Sequence, residues 1–141
     1  MRFVKLLAIV ALLCLGSSVA KASSSLPTWL PNCQGVPQSK PTQVVFACGD
    51  GNTYAEKLTW TGWGQYYAYA QGMLVQNDCT PNCAQGHFHS RQASLTAYGK
   101  QTCPNGEIAY KSVAYTITDP SLPSSVPAQG NFNFPCKPMG T

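Results

Sequence analysis

Charge is scarce in this 141-residue sequence, in which Asp, Glu, Lys and Arg together make up 10% of the residues. The formal net charge of +4 depends on the start of the chain, where Arg2, Lys5 and Lys21 lie. Without these three, six basic side chains remain against five acidic ones. That balance offers no basic stripe for a nucleic-acid backbone and does not favour attachment to anionic lipid. We therefore expect no nucleic-acid partner.

Motifs for catalysis and cofactor binding are also missing. No serine lies in a Gly-x-Ser-x-Gly elbow, and no Gly-rich phosphate cradle is present. The segment GDGN at 49–52 lacks the alternating acids and the final Glu of a calcium-binding EF-hand loop. The five acids do not suggest the facing pair that a glycosidase needs. We therefore assign no catalytic residue, expect no cofactor and favour a non-enzymatic role.

Only the N-terminal region contains a long apolar run. MRFVK is positively charged, LLAIVALLCLG is apolar, and SSVAKA supplies small residues. These three parts predict a secretory signal peptide over residues 1–22, cleaved after Ala22 or alternatively after Ala20. Cys14 raises the alternative of a lipid anchor, but Leu13 precedes it where a lipoprotein signal needs a small residue. No second apolar run follows, so we expect no transmembrane anchor and a secreted or envelope-associated protein.

Six cysteines remain after the signal peptide. An even number in an exported chain predicts three disulfides, since export leads to an oxidising compartment. Six cysteines allow 15 pairings. A turn at the intervening Thr-Pro-Asn would bring Cys79 and Cys83 together, and a bridge between the chain ends would join Cys33 to Cys136. Cys48 and Cys103 would then form the third pair.

Short segments rich in β-branched and aromatic residues alternate with turns, and no helical period is evident. We expect strands at 42–48, 53–60, 66–76, 88–99 and 107–118, the fourth either continuous or broken near Arg91. These strands predict a single small all-β domain over 42–118, a sandwich or barrel-like fold stabilised by disulfides. An extended lead-in at 23–41 and an irregular tail at 119–141, tied by Cys136, would flank it.

Aromatic residues concentrate in the segment WTGWGQYYAYA. In the strand at 66–76, alternation places Tyr67 and Tyr69 on one face and Ala68 and Ala70 on the other. Exposed rings on a sheet form platforms for sugars or for a protein partner. We assign Trp60 to the core and expect Trp63, which lies beside two glycines, to be exposed. The candidate ligand-binding residues are Trp63, Tyr66, Tyr67 and Tyr69.

The segment NDCTPNCAQGHFH contains two cysteines and two histidines. A Cys2His2 zinc site is disfavoured because zinc requires thiolates, whereas export favours a disulfide between Cys79 and Cys83. His87 and His89 are two residues apart on a strand and could present two imidazoles to one metal. The alternative is that Phe88 points inward while both histidines lie on a solvated face or bind loop carbonyls.

The segments ACGDGN, LTWTGWG, AYAQG and NDCTPNCAQGHFH together resemble a group of small exported proteins found widely in actinobacteria. That group shares the patterns C-x-D-x-N, W-x-x-W-G, A-x-A-x-G and N-D-C-x-P-x-C-A-x-G, and the resemblance covers residues 44–118. It implies export and a fixed tie between Cys79 and Cys83 in the loop. It carries no catalytic residue over to this chain.

Three functional hypotheses follow. The first is a non-enzymatic binding domain that recognises an extracellular protein or glycan at or beyond the cell surface. The second is a metal-dependent hydrolase that uses His87 and His89. The third is a structural protein of the envelope with no soluble ligand.

Overall fold

A computed structural model describes residues 27–119 and 127–137. Within these ranges all regular structure is β-strand. The signal peptide expected at 1–22, with the alternative lipid anchor at Cys14, lies outside the described residues. No helix in the described ranges is long and apolar enough to cross a membrane. The eight strands are β1 Thr28–Pro31, β2 Pro37–Gln38, β3 Gln43–Val45, β4 Thr53–Thr61, β5 Ala68–Asn77, β6 Phe88–Thr102, β7 Ile108–Ile117 and β8 Gln129–Asn133.

The strands form a single mixed sheet in the order β2-β1-β7-β6-β5-β4-β3, and β8 also pairs with β7. Strands β3 to β7 are a run of antiparallel neighbours, β1 joins β7 in parallel, and β8 joins it antiparallel. The sheet curls and brings its distant strands together. Phe46, which follows β3, stacks on Phe132 of β8 with ring centroids 4.7 Å apart. The all-β prediction is confirmed, and the curled single sheet replaces the sandwich alternative.

The five predicted strands correspond to β3, β4, β5, β6 and β7. Strand β6 is continuous through Arg91 and extends beyond its predicted end to Thr102. The flanking segments differ more. The lead-in contributes β1 and β2, and the tail contributes β8, because both find unpaired edges to join. The sheet therefore extends beyond the predicted boundaries of 42–118.

The core lies inside the curl of the sheet. Six of its buried residues are alanines, whose small side chains let neighbouring parts of the curled sheet approach closely. Larger side chains, including Leu30, Leu74, Leu95 and Val113, fill the remaining space and are almost fully buried. Full burial of a Leu or Val contributes about 1.5–3 kcal/mol, whereas an Ala methyl contributes about 0.8. An alanine-rich core therefore leaves a substantial part of the stability to cross-links.

Three disulfides supply those cross-links, and two of the expected pairings are wrong. Cys79 does pair with Cys83, but Cys33 pairs with Cys48, and Cys103 pairs with Cys136. Cys33 follows β1 and Cys48 follows β3, so their bridge joins segments from opposite edges of the sheet. With a sequence separation of 15, such a bridge contributes about 3 kcal/mol in the chain-entropy model.

Candidate functional site

The connection between β4 and β5 carries the central aromatic residues and folds back onto the sheet. The Trp63 indole donates a hydrogen bond to the Thr28 carbonyl at 2.9 Å. The Gly64 amide donates to the Tyr110 hydroxyl at 2.9 Å, and this hydroxyl donates to the Gln65 carbonyl at 2.9 Å. The segment at 62–67 is therefore held by β1 and β7.

These contacts correct the prediction that Trp63 is exposed. Its ring packs edge-on against Tyr110 at 5.3 Å and against Trp60 at 5.0 Å, and it adjoins the hydrophobic core. The two flanking glycines, Gly62 and Gly64, have φ values of +65° and +86°. Glycine adopts this left-handed backbone without a side-chain clash, which lets the chain turn Trp63 inward. Trp60 packs against the core, as expected, and its indole donates to the Pro41 carbonyl at 2.8 Å.

The other aromatic candidates lie on the surface. Tyr66, Tyr67 and Tyr69 are 67%, 45% and 52% exposed. The Tyr67 ring contacts those of Tyr66, Tyr69 and Tyr98 at centroid distances of 4.7, 6.4 and 6.4 Å. We refer to Tyr66, Tyr67, Tyr69 and Tyr98 as the tyrosine cluster. Because Tyr66 and Tyr67 belong to the anchored 62–67 segment, the cluster presents its rings from a fixed backbone.

The loop from Asn77 to His89 is organised around the Asp78 carboxylate. Asp78 Oδ1 accepts hydrogen bonds from the backbone amides of His87 at 2.9 Å and Thr80 at 3.1 Å. Asp78 Oδ2 lies 3.0 Å from His89 Nε2. The hydrogen bond from His89, and then those from the two amides, hold the pKa of Asp78 below its ordinary value.

Asn77 and Gly86 complete the framework of this loop. Asn77 Nδ2 donates to Asn52 Oδ1 at 2.9 Å and to the Cys83 carbonyl at 2.8 Å, while its Oδ1 accepts from the Cys79 amide at 2.9 Å. A Cβ atom on Gly86 would lie 2.1 Å from Asn77 Oδ1, which leaves no room for a side chain. The loop is therefore a closely packed unit, tied by Cys79–Cys83.

This arrangement bears directly on the metal hypothesis. The Cys79 and Cys83 sulfurs are bonded to each other, and His89 is paired with Asp78. In residues 27–119 and 127–137, no group of three His, Cys, Asp or Glu side chains is placed to hold a metal ion. His87 and His89 are both exposed. The expectation that Phe88 points inward is wrong, since it is 53% exposed and lies beside Tyr54, with ring centroids 6.3 Å apart.

A cleft of about 340 Å³ lies beside His89 and includes Gln76, Asp78, Thr80 and Arg91 in its lining. The Gln76 side chain donates to the Tyr115 hydroxyl at 3.3 Å, and its buried Oε1 forms no hydrogen bond within the described residues. This cleft brings one histidine, one carboxylate and one guanidinium together. Because Asp78 is already engaged by His89 and two amides, it is not a free catalytic base.

Some residues of the site were not identified from the sequence. Tyr98 belongs to β6 and reaches the tyrosine cluster only through the pairing of β5 with β6, which aligns Ala68 with Ala97. Tyr110 lies in β7 and anchors the 62–67 segment from 45 residues away. Alternation within each strand predicts which face a residue occupies, but not the register between strands that would indicate these contacts.

Comparisons of this chain with protein-family models, with curated proteins and with solved structures found no match. The functional assignment therefore depends on the geometry of the tyrosine cluster and the 77–89 loop.

Proposed function

We propose that this chain is a secreted, non-enzymatic binding domain that acts at or beyond the cell surface through the tyrosine cluster. The observation that supports this role most strongly is the set of exposed rings that contact one another on an anchored segment. Exposed rings lose little conformational freedom on binding and contribute large contact areas, as in many recognition surfaces. Three disulfides are compatible with an oxidising destination outside the cytoplasm.

Anchoring of the cluster supports a binding role over an incidental cluster of surface tyrosines. Tyr110 holds the backbone on both sides of the Gly64–Gln65 peptide bond, and Trp63 holds the same segment to β1. A preorganised surface avoids part of the entropy that a flexible one loses on association. The resemblance of the motifs to those of small exported actinobacterial proteins supports the same destination.

The proposal is tested by cosedimentation of the mature domain with isolated actinobacterial cell envelopes. We expect the native domain to sediment with the envelopes and the Tyr66→Ser/Tyr67→Ser/Tyr69→Ser variant to remain in solution. The control is Val36→Ser/Phe88→Ser. It removes two apolar side chains that lie outside the cluster and are each 53% exposed. Equal sedimentation of all three proteins would favour the structural envelope hypothesis and contradict the proposal.

A further inference from the structure

The strand register defines a broad outer surface beside the tyrosine cluster. Two rows of side chains cross five strands, from β4 through β5, β6 and β7 to β8. We call these ten residues the neutral face; the first row is Thr61, Tyr69, Thr96, Ala114 and Asn131, and the second is Thr59, Gln71, Ser94, Thr116 and Gln129.

None of these ten side chains is charged. The described ranges contain 11 Lys, Arg, Asp and Glu residues, and all of them lie at other positions. Glu56 and Lys57 border the face at the irregularity in β4, where they lie 3.9 Å from each other, and Lys57 lines a surface cleft with Gln71. Lys100, beyond the tyrosine end, is directed to the Gly64 carbonyl. The ten positions therefore present neutral side chains across five neighbouring strands, in a chain that carries few charges elsewhere.

The neutral face instead offers hydroxyl and amide groups. Gln71 and Ser94 hydrogen-bond to each other at 3.0 and 3.1 Å, which fixes both side chains across β5 and β6. Within residues 27–119 and 127–137, five other side chains of the face form no hydrogen bond and keep their donors and acceptors available to a ligand: Thr59, Thr96, Thr116, Gln129 and Asn131. Their partners would be neutral groups that both donate and accept hydrogen bonds.

We propose that the ligand of this domain is an uncharged glycan, which extends from the tyrosine cluster across the neutral face. This inference rests on the proposed binding function and names the class of ligand. A neutral sugar chain has hydroxyl groups that match the Thr, Ser, Asn and Gln side chains, and apolar C–H faces that stack on tyrosine rings. An acidic polymer would find no cation among the ten residues, and Lys57 at their border lies beside Glu56. A protein interface usually also has Met and Arg at its centre, whereas the face beyond the tyrosine cluster has hydroxyls and amides.

The first test measures cosedimentation with insoluble cellulose, chitin and starch, which are uncharged or nearly so, and with protease-treated envelopes. We expect binding to at least one of the polysaccharides and to the treated envelopes. Binding should remain unchanged up to roughly 1 M salt, where the Debye length is about 3 Å and electrostatic attachment would be lost. Tyr69→Ser should weaken binding roughly three- to tenfold, in line with the contribution of one aromatic contact.

A second test places a charge on the face. Thr116 is exposed in the second row, and Thr116→Lys should weaken glycan binding about tenfold, because the longer side chain would project between the glycan and the face and its charged group would have to lose water on binding. Gln34→Lys adds the same charge at an exposed position in the turn after β1 and should bind like the native domain. Thermal unfolding of both variants confirms that they fold, and equal affinities for the two would overturn the inference.

Protease treatment of the envelopes distinguishes a protein partner from a glycan. Tyrosine-dependent binding to untreated envelopes that disappears after protease treatment, with no polysaccharide bound, would identify a protein partner and overturn the glycan inference alone. Failure to bind untreated envelopes and every polysaccharide would overturn both. A concentration-dependent dimer in gel filtration that Thr116→Lys disrupts would show that a second copy covers the face, and would also overturn the inference.

Discussion

The most precise prediction concerns the Tyr110 hydroxyl, which joins the buried sheet to the segment that carries the tyrosine cluster. The Tyr110 side chain is fully buried, and burial raises the pKa of its phenol, which keeps the hydroxyl neutral. Tyr110→Phe removes only the oxygen that accepts from Gly64 and donates to Gln65, both at 2.9 Å. The volume of the core is otherwise retained.

The expected magnitude follows from those two contacts. A typical hydrogen bond contributes about 0.5–1.5 kcal/mol net, so losing two should lower the free energy of unfolding by about 2 kcal/mol. Tyr115→Phe is a matched control: Tyr115 is 4% exposed, and its hydroxyl accepts one bond from Gln76 at 3.3 Å. That longer single contact should contribute about 0.5–1 kcal/mol. At about 4 °C per kcal/mol, the Tm should fall by about 8 °C for Tyr110→Phe and about 3 °C for Tyr115→Phe.

Scanning calorimetry of the oxidised domain measures both shifts, and hydrogen exchange adds a local readout. The Gly64 amide should exchange faster in Tyr110→Phe and at the native rate in Tyr115→Phe. Since Tyr66 and Tyr67 belong to the released segment, envelope binding should also weaken only in Tyr110→Phe. Equal Tm shifts for the two variants, together with unchanged Gly64 exchange, would refute the assignment of Tyr110 as the anchor.

Two further predictions concern the 77–89 loop. Gly86→Ala should lower the free energy of unfolding by about 1–3 kcal/mol in urea titration, because the added Cβ would collide with Asn77 Oδ1. The control is Gly49→Ala, which has nothing within 4 Å of the added atom and should stay within about 0.5 kcal/mol of the native domain. Similar urea midpoints for the two variants would contradict the close packing around Gly86. The folded pKa of Asp78 is lowered from 3.8, so its contribution to stability is present above that value and is lost as the pH falls through the folded pKa. The Tm of Asp78→Asn should therefore depend less steeply on pH below about 4 than the Tm of the native domain. Parallel curves of Tm against pH for the two proteins would show that the contacts of Asp78 with His89 and the two amides do not stabilise the fold.

The strands were predictable because their signal is local. Alternation in β5 and β7 reflects which side chains face the core, and turn residues mark the ends. The lead-in and tail were not predicted as strands, since both segments are rich in Ser, Pro and Gly. At the edge of a sheet a proline is tolerated, because its missing N–H can face away from the neighbouring strand. The positions of β1, β2 and β8 therefore depend on the sheet that receives them.

The errors at the site have the same origin. Cys33 was assigned to Cys136 because both lie near the chain ends, but the curl brings Cys33 to Cys48 from the opposite edge of the sheet. Trp63 was expected to be exposed because glycines flank it. Its indole instead donates a hydrogen bond to the Thr28 carbonyl, 35 residues away, and the ring is turned inward. Both contacts are non-local, so neither spacing nor composition could indicate them.

Exposure of the tyrosines is a consequence of the core rather than an independent feature of the surface. In β5, Ala68 and Ala70 are almost completely buried, and the pleat then requires Tyr69 to point outward. A slip of one residue would place tyrosine rings where only methyl groups fit, so the tightly packed interior makes that register unstable. Side-chain packing that fixes the alanines therefore also fixes Tyr69 and, through ring contact, Tyr67. The aromatic rings therefore stay exposed, because the register that would bury them would also disrupt the packing of the core.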